Sequence, residues 1–122
     1  MPETQERSED QQRILFTVAH RTVERQLHPV LQRHYQLTTV RLRREAMDAL
    51  AHNPLPDLVL VDVPSIRFDV NRFFESLSTM DLSVATFLLL RKGMRLYQMP
   101  RAHGYLRHPF SIRQLLARIR RV

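Results

Sequence analysis

The chain has no cysteine and no tryptophan, and only two glycines, Gly93 and Gly104, among its 122 residues. Without cysteine there is neither a disulfide framework nor a thiolate metal site. With glycine so sparse, no glycine-rich loop can cradle a phosphate. Lysine is nearly absent too. Eighteen arginines and Lys92 face twelve acidic residues, for a formal net charge of +7. A basic surface of this kind favours anionic partners, either acidic proteins or nucleic acid. No apolar run approaches the ~20 residues of a membrane span; the longest, Val84–Leu90, is broken by Thr86. The opening residues are polar and acidic, unlike a signal peptide, so a cytoplasmic protein without membrane attachment is expected.

What is present is organised around Leu58-Val59-Leu60-Val61-Asp62, reached through Pro56-Asp57 and continued by Val63. A run that is apolar at every position predicts a strand covered on both faces, central to a parallel sheet. Asp62 would then end that strand, at the edge where open α/β sheets place their sites. The flanking segments fit the same architecture. Arg13–Ala19 and Val84–Leu90 read as further buried strands, Tyr35–Val40 and Gly104–Arg107 as shorter ones. Between them, Arg21–His34 carries Val23, Leu27, Val30 and Leu31 at helical spacing, with a kink expected near Arg25–Leu27 because of Pro29. Arg43–His52 is a second helix, stopped by Asn53-Pro54, and Asp69 can cap a third that carries Val70, Phe73, Phe74 and Leu77. Gly93–Ala102 is too short and too interrupted by Pro100 for more than one or two turns. Ser111 and Gln114 form a capping-box pattern that opens a last helix. Met1–Gln12 lacks apolar periodicity and reads as a disordered polar leader ahead of one domain, residues 13–122. Five strands alternating with five helical segments predict an α/β fold, a parallel sheet with helices on both faces.

Pro56-Asp57-Leu58-Val59-Leu60-Val61-Asp62, followed much later by Gly104-Tyr105-Leu106-Arg107-His108-Pro109-Phe110, resembles the receiver domains of two-component response regulators. The resemblance runs from about Arg13 to Val122. It implies a flavodoxin-like (βα)5 sheet in the order 2-1-3-4-5. It also implies that Asp62 occupies the phosphoacceptor position, with Leu89, Tyr105 and His108 at the switch-position equivalents. The parts that serve the family's chemistry are absent. Val18 and Ala19 stand where an acidic pair would hold magnesium, Leu89 or Leu90 replaces a hydroxyl residue, and His108 replaces a lysine. Magnesium is a hard ion that wants several oxygen ligands, and phosphoryl transfer depends almost wholly on charge stabilisation. Asp62 is therefore expected to be an inactive acceptor, with no catalytic residue and no cofactor; magnesium enters only for a working receiver.

Other groupings carry less. Arg91 and Lys92 follow the fourth strand and are the candidate cations for Asp62. His20, Asp62 and His108 would share one sheet edge, but their spacing matches no zinc motif and no metal site is assigned. Ser65 and Ser111 read as loop and cap residues, without a base or oxyanion arrangement, so an enzyme is not expected. Arg113, Arg118, Arg120 and Arg121 form the polar side of the last helix. The resemblance makes that side part of a fourth-helix, fifth-strand, fifth-helix face for a protein partner or self-association. The expected function is thus a receiver-like signalling module of pseudo-receiver type that acts by protein–protein interaction. The alternatives are a working receiver phosphorylated on Asp62, and an arginine-rich nucleic-acid-binding protein on a receiver scaffold.

Overall fold

A computed structural model describes residues 12–52, 54–66, 69–80, 84–94 and 102–122. Five strands form one sheet: β1 Arg13–Thr17, β2 Gln36–Val40, β3 Leu58–Asp62, β4 Ala85–Arg91 and β5 Gly104–His108. Four helices are found among the described residues: α1 Arg21–His34, α2 Arg43–Ala51, α3 Val70–Thr79 and α4 Ile112–Arg120. The strand order is β2-β1-β3-β4-β5, and every neighbouring pair is parallel. This is the expected flavodoxin-like doubly wound sheet. The expected fifth helical segment, Gly93–Ala102, falls largely on residues outside the described ones, as does the leader Met1–Gln12 except for Gln12.

The sheet divides the interior into two apolar layers because successive strand residues face opposite sides. Ile14, Phe16, Leu58, Leu60, Phe87 and Leu89 pack on one side with Leu27 and Leu31 of α1 and Leu115 and Ile119 of α4. Leu15, Val59, Val61, Leu88 and Leu90 pack on the other with α2 and α3. All five residues of β3 are buried, as a strand covered on both faces requires. Local signals set the helix ends. Asp69 accepts the Asn71 amide at 2.9 Å, and Ser111 and Gln114 exchange both bonds of a capping box.

Some boundaries differ from the sequence expectation. β1 stops at Thr17, although the Val18 amide still donates to Val40 O at 3.0 Å. β3 stops at Asp62, although the Val63 amide donates to Leu89 O at 3.0 Å. α1, by contrast, has the expected bounds and runs through Pro29 as one helix of 14 residues; burial of Leu27 and Leu31 on either side of the proline holds it together. At Gly93, φ is +83°, a left-handed value that glycine adopts without Cβ strain and that turns the chain after β4. Gly104 serves close packing instead: a Cβ there would lie 2.8 Å from the Phe87 ring.

Candidate functional site

Asp62 ends β3 with 1 % of its surface exposed. A carboxylate so far from water must find a partner inside the protein. The partner is His108, whose Nε2 donates to Asp62 Oδ1 at 3.0 Å. Strand register explains how an imidazole reaches that far. Asp62 pairs with Leu89, and Leu89 with Leu106, which makes a row across β3, β4 and β5. His108 lies two residues beyond Leu106 on β5, and its ring returns over the end of β4 to Asp62. Phe110 stacks on the imidazole with ring centroids 4.6 Å apart, beyond a cis His108–Pro109 bond. Asp62 is thereby tied to the turn that leads into α4.

The end of β1 offers no second charge. Val18 is buried among apolar side chains, and the Ala19 amide donates to Ser65 Oγ at 3.0 Å. Ser65 Oγ in turn donates to the Asp62 carbonyl at 3.2 Å, so one hydroxyl staples the loop after β3 to the end of β1. Neither the staple nor the Asp62–His108 pair was read from the sequence, where Ser65 was a plain loop residue. Leu89, the register partner of Asp62 on β4, is fully buried. The donor set does not suit magnesium: one carboxylate, already bonded to an imidazole, beside apolar residues. Among the described residues no group of three or more His, Cys, Asp or Glu could hold a metal ion, and His20 is not brought into one with Asp62 and His108.

Arg91 and Lys92, the candidate cations, are exposed, and neither lies within ion-pair distance of Asp62. The imidazole on β5 takes the place expected for them. The Arg91 carbonyl instead closes the turn by accepting the Met94 amide at 3.0 Å. Tyr105 points outward, 52 % exposed. Its ring lies under the Arg107 guanidinium, 5.8 Å from the centroid, and its carbonyl accepts from Arg118 at 2.9 Å. Arg107 also donates to Met94 O at 2.6 Å. The α4 arginines therefore divide. Arg118 turns to β5, whereas Arg120 turns to Tyr35, where it partly offsets the rise that burial imposes on the phenol's pKa. Arg113 and Arg121 are exposed, with no side-chain partner among the described residues.

No protein-family model matches the sequence, and no curated protein matches it. Solved structures do. A putative response regulator from Chloroflexus aurantiacus J-10-fl superposes with TM-score 0.76 and 22 % identity, covering 92 % of this chain and 97 % of that one. The N-terminal domain of the nisin resistance regulator NsrR gives TM-score 0.78 at 18 % identity, covering 93 % and 98 %. The chemotaxis response regulator CheY4 of Vibrio cholerae gives 0.74 at 19 % identity, covering 91 % and 98 %. At these identities the likeness establishes a receiver-type fold. Among the described residues, no helix is long and apolar enough to cross a membrane.

Proposed function

We propose that this chain is a receiver-like signalling module of pseudo-receiver type, which acts by binding a protein partner or a second copy of itself. One observation carries the reading: the carboxylate at the acceptor position is buried and bonded to His108 at 3.0 Å. In a working receiver that carboxylate must be open to an incoming phosphoryl group and to a metal ion. Here its Oδ1 is engaged and its surroundings are apolar. The pair holds the end of β3 against the start of α4 without any phosphoryl group, so β5 and α4 keep one arrangement. Tyr105, Arg107 and Arg118 lie on the surface of that region and form the core of the proposed contact face, with Arg113 and Arg121 at its margin. The role is signalling by binding, in the cytoplasm, without catalysis or a cofactor.

The test is incubation with acetyl phosphate or beryllofluoride, with and without magnesium, followed by intact mass and amide NMR. The expected result is no adduct and no magnesium-dependent shift at Asp62. A stoichiometric, magnesium-dependent adduct on Asp62 would make the chain a working receiver instead.

A further inference from the structure

A groove of about 470 Å³ lies between α1 and the turn from β2 to α2, lined by Arg21, Glu24, Arg25, His28, Pro29 and Arg41. Arg21, Arg25 and His28 recur at helical spacing and so share one side of α1. Arg41 faces them from the turn, and its guanidinium is held there by Glu24 at 3.4 Å. His28 is fixed as well, through Nδ1 and Thr39 Oγ1 at 3.3 Å. Glu24 offsets one cation. Among the described residues, the guanidinium groups of Arg21 and Arg25 have neither an ion pair nor a hydrogen bond.

This placement does not serve the helix. Arg21 stands in the first turn, where the helix dipole repels a cation. Arg25 follows four residues later, a like-charge pair that also disfavours the helix. Nor does the N-cap, His20, relieve the end: its side chain makes no capping bond. Two free guanidiniums and a third held in place across a concave surface gain only when an anion enters. We propose that this groove docks an acidic segment of a protein partner, with carboxylates taken by Arg21, Arg25 and Arg41. The occupant is a polypeptide rather than a nucleic acid because no phenylalanine, tyrosine or tryptophan lines the groove for a base to stack on, and its one imidazole, His28, is tied to Thr39. The basic surface is also interrupted by Glu24, where a phosphate backbone needs a continuous stripe. The groove is separate from Asp62, so the inference stands whatever the state of that carboxylate.

The experiment is an amide NMR titration of the full chain with N-acetyl hexaglutamate amide at low ionic strength, repeated with a short DNA duplex. Saturable shifts at Arg21–Pro29 and Arg41 are expected with the peptide. The double variant Arg21→Glu/Arg25→Glu should weaken binding about tenfold or more. The double variant Arg72→Glu/Arg91→Glu, at exposed positions outside both the groove and the β5–α4 face, makes the same change in net charge and should alter it less than about twofold. All four residues are exposed, so both variants should keep the parent amide spectrum. Equal weakening by the two variants would reduce the effect to net charge and overturn the proposal. So would tighter binding of the duplex through the same α1 amides.

Discussion

His108 and Asp62 are held together by burial and by a hydrogen bond. Asp62 is 1 % exposed and the His108 side chain 30 %, so the pair sits at the border of the interior, with the carboxylate wholly inside it. Removing the imidazole leaves a buried carboxylate with one lost donor, which costs about 1–3 kcal/mol. His108→Ala should therefore lower the free energy of urea unfolding by that amount. Asp62→Asn keeps an acceptor for Nε2 while removing the charge, and should stay within about 1 kcal/mol of the parent. Equal stability of His108→Ala and the parent would show that the pair contributes nothing. Ser65 acts on a smaller scale, through two hydrogen bonds that tie the loop after β3 to the end of β1.

Among the elements, α2 begins with a device of its own. The Glu45 carboxylate accepts the amides of Arg41 and Leu42, each at 3.0 Å. Those two bonds, helped by the nearby Arg44 and Arg41 cations against a small effect of burial, lower its pKa below the ordinary carboxylate range. The folded value is the depressed one. The stability Glu45 contributes is present above its unfolded pKa and is lost as pH falls through the folded one. Amide exchange at the first turn of α2 should therefore speed up, relative to α4, as pH falls below the ordinary carboxylate range of about 4. Glu45→Gln should remove most of that difference, since the amide oxygen accepts but does not titrate there. An unchanged α2-to-α4 ratio across the acid range in the parent would show that the carboxylate does not hold this turn.

At the level of the whole molecule, the sheet order places β3 between β1 and β4 and leaves β2 and β5 at the edges. Stability should follow that order. Leu88 on β4 is fully buried beneath α2 and α3, whereas Leu37 on the edge strand β2 is only partly buried. Leu88→Ala should cost about 2–5 kcal/mol, the range for emptying a packed leucine site. Leu37→Ala should cost clearly less, and urea unfolding of the two variants compares them directly. The arrangement also brings both proposed functions to surfaces the core does not use: β5 with α4 at one edge of the sheet, and the α1 groove toward the β2 edge.

The sequence by itself determined the five strands, the four helices among the described residues and the class of fold. Four apolar residues without alternation, Leu58–Val61, set between Pro56 and Asp62 predict a doubly covered strand, and Asp69, Ser111 and Gln114 act on amides two or three residues away. Such signals are local, so they can be read before anything is folded. The parallel sheet followed from their alternation, and the strand order from the resemblance of the Asp62 and Tyr105–Phe110 segments to receiver domains. Only the tertiary structure decided what Asp62 bonds to. His108 is 46 residues away, as Ala19 is from Ser65, and parallel strands have no connecting hairpin to set such pairings in advance. Arg91 and Lys92 were the nearest cations along the chain from the end of β4, yet an exposed cation gains little from leaving water. A half-buried imidazole, already placed by β5 and by Phe110, costs less to order. The division of the α4 arginines has the same origin: one helix face looked uniform in sequence until β5 and Tyr35 each claimed a guanidinium.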